Sequence, residues 1–282
     1  MKPVFLLLSL LLITALPAAA QTPHTLTGDF VQLPRFHSRS LPNDRDVLVW
    51  LPPGYGANPK LHYPVLYLHD GQNLFDGATA FLPGREWRAD ETATELLTSK
   101  QIEPLIIVGI YNTGARMSEY TPTKDAQGRG GDADAYGKLI VTDLKPYIDS
   151  HFRTLPDAAH TGLGGSSLGG LVSLYLGLKH PEVFGKIACL SSSAWWDNGM
   201  IIKDVQALPK KTPTRIWLDI GIAEGNDAIG PVRKLRAALV SKGWKEGRDL
   251  QYTEAIGAAH NEEAWAKRFG SILIFLFPRR GN

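Results

Sequence analysis

The sequence predicts an α/β fold, with a mostly parallel central sheet, helices on both of its faces and antiparallel strands at its N-terminal end. Three observations carry that expectation. Short continuous apolar runs, rich in β-branched and aromatic residues and too short for core helices, read as strands buried on both faces. Longer segments between them place apolar residues at helical spacing. Strands and helices then alternate along most of the chain, and parallel neighbours need crossover connections of this kind.

Taken in order, TLTGDFVQL (25–33) and RDVLVWLP (45–52) are strand-like stretches separated by the turn-rich SRSLPNDR, which gives the antiparallel start. PPGYGANPKLHYP is a loop. The buried-strand runs follow: PVLYLHD (64–70), PLIIVGIYN (104–112), HTGLGG (160–165), KIACLSS (186–192), RIWLDIG (215–221) and LQYTEAIG (250–257). The clearest helix covers 134–152, where Tyr136, Leu139, Ile140, Leu144, Tyr147 and Ile148 form one apolar stripe. Further helices are expected over 88–100, 168–180, 226–242 and 262–277, with Pro181 and Gly243 as terminators. Two Gly-rich segments, 76–87 and 113–132, are long enough to be functional loops.

With 282 residues, 44% of them hydrophobic, the chain suits one large domain, and neither repeats nor low-complexity linkers divide it. A formal net charge of +2, with basic residues scattered rather than striped, gives no case for nucleic acid or a membrane surface, so a small-molecule partner is expected. Residues 1–20, MKPVFLLLSLLLITALPAAA, have the short apolar core and small-residue end of a secretory signal peptide. The expected mature domain is therefore 21–282, periplasmic or secreted from a bacterium, with no stable membrane insertion. Cys189 is the sole cysteine, which excludes an internal disulfide, and its apolar setting ACLSS reads as buried strand rather than a catalytic thiol.

Chemistry concentrates at GLGGSSLGG (162–170). A strand leads in and an apolar helix leads out, the context of a G-x-S-x-G nucleophile elbow, and only Ser167 falls at the centre of Gly165-Ser166-Ser167-Leu168-Gly169. The turn brings strand and helix close together, so Gly165 and Gly169 supply clearance. A serine needs a base, and in this topology the order is Ser, acid, His. His180 reads as the cap of its own helix, which leaves His260, beyond the last strand run. The acid is expected after RIWLDIG, where Glu224 is preferred over Asp227, a residue that also caps the next helix. Oxyanion donors are expected to be the backbone N–H groups of Leu168, after the nucleophile, and Gln72, after PVLYLHD. His69, Asp70 and Asp76 offer metal ligands close in sequence, but there is no His-Glu-x-x-His helix or Cys pair, so neither a metal nor any other cofactor is expected.

These motifs resemble the esterase D-like family of bacterial α/β-hydrolases, which includes siderophore trilactone, feruloyl and acetyl-xylan esterases. The likeness runs from about Arg45 through YPVLYLHDGQNLFD, NTGARMSEYTP, GGSSLGG, SSSAWW, LDIGIAEG and AHNEEAW. It implies an α/β-hydrolase fold, Ser167 as nucleophile, His260 as base, Glu224 as its orienting acid, and Gln72 and Leu168 as oxyanion donors. It further suggests that Trp195 and Trp196 border the substrate pocket. Arg116 could meet substrate too, although a loop-fixing pair with Glu119 is the expectation. The function expected is an exported serine carboxylic-ester hydrolase acting on a siderophore trilactone or a carbohydrate or aryl ester. An acyltransferase or a non-catalytic binding protein of the same fold are the alternatives.

Overall fold

The computed structural model describes residues 22–279; the expected signal peptide lies outside the described residues. Eight strands form one sheet in the order β1-β2-β4-β3-β5-β6-β7-β8. They are β1 (Asp29–Phe36), β2 (Arg45–Leu51), β3 (Val65–His69), β4 (Ile106–Ile110), β5 (Thr161–Ser166), β6 (Lys186–Leu190), β7 (Arg215–Gly221) and β8 (Leu250–Ala255). β2 runs antiparallel to both β1 and β4, and every pairing from β4 through β8 is parallel. All residues of β3, β4, β5 and β6 are buried, which is why these strands read as unbroken apolar runs rather than alternating ones.

The helices are α1 (Ala89–Thr98), α2 (Arg116–Glu119), α3 (Ala133–Lys138), α4 (Lys145–His151), α5 (Leu168–Lys179), α6 (Trp196–Ala207), α7 (Asn226–Ser241) and α8 (Glu262–Leu276). Successive strand residues point to opposite faces and so build two cores. Val65, Tyr67, Val108, Leu163 and Ile187 pack with residues of α3 to α7. Leu66, Leu68, Ile107 and Leu190 pack with Ala93 and Leu96 of α1 and Phe269 and Ile272 of α8. α5 is buried over most of its length, as an apolar helix without a polar face must be. Cys189 is buried and free, and burial raises its thiol pKa, so it is an inert filler of the core.

The differences from the sequence expectation have local causes. β1 starts four residues late because the N–H groups of Thr25 and Thr27 go to the carboxylates of Asp76 (3.2 Å) and Asp90 (2.6 Å) rather than to the sheet. Gly28, at φ +99°, then turns the chain into the strand. α3 and α4 form one continuous helix joined by π-helical Leu139–Leu144, with Pro146, which has no N–H to donate, just beyond. α6 was not anticipated at all, since its start runs through three left-handed residues, Asp197, Asn198 and Gly199, that break any helical pattern.

Topology selects the site. From β3 the chain steps to β4 on one side and then returns to β5 on the other, so β3 and β5 flank the switch point of the sheet. Open α/β sheets bind ligands at the carboxyl ends of the strands beside such a point.

Candidate active site

Ser167 joins β5 to α5 with φ 58° and ψ −122°, a backbone conformation rare for a residue with a side chain. Its N–H donates to the Leu190 carbonyl (2.9 Å), and its own carbonyl accepts from Ser193 N–H (3.0 Å) and Leu171 N–H (3.1 Å). The turn is thus clamped to the segment that follows β6. A Cβ on Gly165 would stand 3.0 Å from both the Gly169 carbonyl carbon and His69 Cδ2. One on Gly169 would meet its nearest neighbour, His69 Cβ, at an ordinary 3.4 Å, whereas one on Gly170 would press on two carbonyl oxygens at 3.2 Å. Crowding therefore falls on Gly165 and Gly170 more than on Gly169.

Glu224 ends the short turn Ile222–Glu224 after β7. Its Oε2 accepts from His260 Nδ1 (2.7 Å), and its Oε1 accepts from Gly221 N–H (2.8 Å) and the Ser191 hydroxyl (2.5 Å). Burial of this carboxylate opposes ionisation, but the hydrogen bonds from His260, Ser191 and Gly221 outweigh it and hold the pKa below the ordinary value. An ionised Glu224 accepts only, so the proton shared with His260 belongs to Nδ1, and in the neutral imidazole the lone pair is then on Nε2. The imidazole is half-exposed and stands edge-on to Trp265, with ring centroids 5.0 Å apart. Asp227 lies exposed in the first turn of α7, and His180 is the C-cap of α5.

No hydrogen bond joins Ser167 to His260 in this structure; the Ser167 hydroxyl lies 3.4 Å from that of Ser193. The two residues are linked through residues 190–193, which hold the Ser167 backbone at Leu190 and Ser193 and the Glu224 carboxylate at Ser191. Hydrogen bonds around a catalytic group commonly tighten only when substrate binds.

Leu168, first residue of α5, has no carbonyl one turn back within its helix to receive its N–H. Gln72 lies in the turn Gly71–Asn73 after β3. There the Gly71 carbonyl accepts from Leu74 N–H (3.3 Å), which points the N–H of the same trans peptide, that of Gln72, the opposite way. The end of β3 packs on the start of α5, since the Gly169 position faces His69 Cβ and an Asp70 oxygen at 3.6 Å.

The two tryptophans separate. Trp196 is buried, with its indole N–H donated to the Thr123 carbonyl (3.1 Å), so it belongs to the core and not to a pocket wall. Trp195 is 50% exposed and stands two residues beyond Ser193. The expected Arg116–Glu119 pair does not form. Arg116 grips both oxygens of Asp70 (2.7 Å each), while Glu119 is buried against the guanidinium of Arg45 (2.8 and 2.9 Å). A buried arginine without its carboxylate would be strongly destabilising, and that demand outweighs the small gain of a neighbouring pair on a four-residue helix. The side chains considered for a metal are engaged elsewhere: Asp70 by Arg116 and Asn112, Asp76 by His24 and Thr25, His69 by Tyr136. Among the described residues no group of three His, Cys, Asp or Glu side chains could hold a metal ion. Sequence reasoning missed Ser191 and Ser193, whose only signal was a serine triplet at the end of a strand run.

The sheet topology is shared with solved α/β serine hydrolases, among them an IroE-like serine hydrolase from Shewanella oneidensis, which superposes with a TM-score of 0.68 at 23% identity over 87% of this chain and 79% of that one. The chain belongs to the family described as Putative esterase, whose model matches residues 38–276. It is 28% identical over 251 residues to the endo-1,4-beta-xylanase/feruloyl esterase of Xylanibacter ruminicola, covering 88% of this chain and 31% of that one. It is 30% identical over 188 residues to the ferri-bacillibactin esterase BesA of Bacillus subtilis, covering 59% and 62% of the two chains. The chain thus spans less than two thirds of either relative. The solved BES protein from Bacillus cereus superposes with a TM-score of 0.71 at 20% identity, over 92% of this chain and 99% of that one.

Proposed function

We propose that this esterase-family hydrolase is an exported serine carboxylic-ester hydrolase that cleaves a small ester through an acyl-enzyme, with Ser167, His260 and Glu224 as its triad. The observation that carries the reading is the Glu224–His260 hydrogen bond at 2.7 Å, tied by one short segment to the strained turn that bears Ser167. Ser167 Oγ attacks the ester carbonyl carbon and gives its proton to His260 Nε2, while the resulting oxyanion meets the N–H groups of Gln72 and Leu168. Collapse breaks the bond to the alcohol oxygen, which leaves with the proton from His260. Water, deprotonated by the same nitrogen, then releases the acid and restores Ser167.

For substrate we propose a siderophore trilactone or a carbohydrate or aryl ester. The names of the two esterase relatives support those classes, and the half-exposed indole of Trp195 offers an aromatic face for a ring. Export rests on the N-terminal MKPVFLLLSLLLITALPAAA; no helix among the described residues is long and apolar enough to cross a membrane. Ser167→Ala should lower turnover of short p-nitrophenyl esters by at least about 10⁴-fold with an unchanged melting temperature. Turnover near wild type in that variant overturns the assignment. A panel of catecholate trilactones, feruloyl esters, acetylated sugars and simple acyl esters ranks the substrate classes, and added glycerol reveals any acyl transfer by its ester product.

A further inference from the structure

Ser191 lies at the centre of a buried polar cluster that the hydrolytic steps do not touch. It follows β6 directly, with φ 43°, an uncommon left-handed backbone for a residue with a side chain, and it is almost fully buried. Its hydroxyl oxygen accepts from the indole Nε1–H of Trp265 (3.0 Å) and from Arg268 Nη2 (2.9 Å), both on α8. Indole and guanidinium can only donate. The single hydroxyl proton of Ser191 is therefore committed in one direction, to Glu224 Oε1.

We infer that Ser191 is a positioning residue of the triad: it locks the Glu224 carboxylate so that Oε2 faces His260 Nδ1, and Trp265 and Arg268 fix the direction of its proton. This rests on the triad reading given above. With Oε1 held by Ser191 and Gly221, the carboxylate cannot turn about its terminal bond, and only Oε2 is left for the imidazole. The imidazole is half-exposed, with Trp265 edge-on at 5.0 Å and Oε2 as its hydrogen-bond partner. Ser191 is itself anchored through its N–H, which donates to Asp219 Oδ1 (3.0 Å), the atom that also pairs with Arg268 (3.1 Å). Trp217 Nε1–H completes the frame on Asp219 Oδ2 (2.7 Å).

Stability alone does not account for this arrangement. Arg268 is 7% exposed and pairs with buried Asp219 (3.1 Å), while its Nε and Nη1 find no protein acceptor. Apolar side chains of similar volume in place of the whole Arg268–Asp219 pair would commonly be no worse for folding. Besides neutralising Asp219, the arginine supplies a donor to Ser191 that leaves the hydroxyl no choice of partner.

The test uses a fluorophosphonate probe, whose labelling of Ser167 needs the triad but no knowledge of the natural ester. Ser191→Ala and Ser191→Gly should each slow labelling by about 10- to 100-fold, the range found when a hydrogen bond that orients a metal ligand is removed. They should lower kcat for a p-nitrophenyl ester and leave KM unchanged. The downfield proton resonance of the His260 Nδ1–H to Glu224 bond should weaken in both. Ser191→Gly relaxes the positive φ, so a defect shared by the two variants belongs to the hydroxyl and not to the backbone. Trp265→Phe keeps the ring and removes one donor, and should show a smaller defect of the same kind. If the Ser191 variants lose melting temperature but label within about twofold of wild type with the resonance intact, Ser191 is merely structural and the inference fails. If the wild-type protein does not label at all, it is the triad reading that fails.

Discussion

Ser167 and His260 reach the same edge of the sheet by different means. Ser167 is held by its own backbone: the turn is strained, three main-chain hydrogen bonds clamp it to residues 171, 190 and 193, and glycines let strand and helix close around it. His260 sits in an exposed connection after β8 and is oriented by one side-chain bond to Glu224, whose carboxylate is in turn 1% exposed and bound on every side. The half proposed to carry the nucleophile therefore depends on packing, where a wrong atom damages the fold. The half proposed to carry the acid–base pair depends on hydrogen-bond direction, where a wrong atom leaves the fold intact and disturbs the proton. Substitutions in the two halves should separate stability from turnover.

Among substitutions that keep the nucleophile, the largest effect on turnover is expected from Glu224→Gln. The amide fits the space but can present its NH₂ toward His260, which favours the wrong imidazole tautomer, and in a serine–histidine–carboxylate arrangement that exchange lowers kcat by about 10⁴-fold. Because the half-exposed ring contributes little to packing, thermal unfolding of this variant should stay near that of wild type. A substantial fall in melting temperature with kcat within tenfold of wild type, roughly 1.4 kcal/mol, would erase the contrast between the halves.

On the nucleophile side the corresponding probe is acid. His69 ends β3 against the elbow, fully buried, with Nδ1 bonded to the Tyr136 hydroxyl (2.8 Å). Burial, helped by the positive charges of Arg116 and Arg45 and opposed by Asp70, pushes its pKa from 6.5 down to about 3. The unfolded chain thus takes up a proton near pH 6.5 that the folded chain refuses. Stability from this group is fully present above pH 6.5 and is lost as pH falls toward 3, by about 1.4 kcal/mol for each pH unit. Urea unfolding between pH 7 and pH 4 measures that slope. His69→Phe should flatten it whatever it does to absolute stability, and an unchanged slope would show that another group governs acid unfolding.

The same division explains what was legible in the sequence. The buried strands β3 to β7 and the long helices were readable because burial on both faces demands continuous apolar runs, and crossovers demand apolar stripes. Ser167, Glu224 and His260 were readable as candidates because each follows a strand run, and strand ends at one edge of a parallel sheet converge. Partner choice was not readable. Arg116 and Glu119 stand three apart, yet each pairs with a residue far away in sequence, because the cost of an unpaired buried charge is decided by the fold and not by spacing. Ser191 needs β6, the β7 turn and α8 together before its hydroxyl has a direction. α6 was hidden because Asp197, Asn198 and Gly199 are residues that tolerate a left-handed backbone and so resemble a loop.

The finest test lies between two glycines of one motif. In Gly165→Ala the new Cβ would stand 3.0 Å from the Gly169 carbonyl carbon and 3.1 Å from its Cα, atoms of a turn already fixed at both ends. Overpacking of this kind costs about 1–3 kcal/mol, and relief requires the elbow backbone or the His69 ring packed on it to give way, so turnover should fall along with melting temperature. In Gly169→Ala the nearest atom is His69 Cβ at 3.4 Å, an ordinary contact, and the substitution adds a better helix former near the start of α5. Alanine replaces glycine inside a helix with a gain of up to about 0.5–1 kcal/mol, so this variant should unfold at or slightly above the wild-type temperature and keep its activity. The G-x-S-x-G pattern treats the two glycines alike; the packing does not. Equal losses in both variants would mean that the elbow tolerates no side chain on the helix side either, and that its clearance extends one residue further than the contacts around Gly169 require.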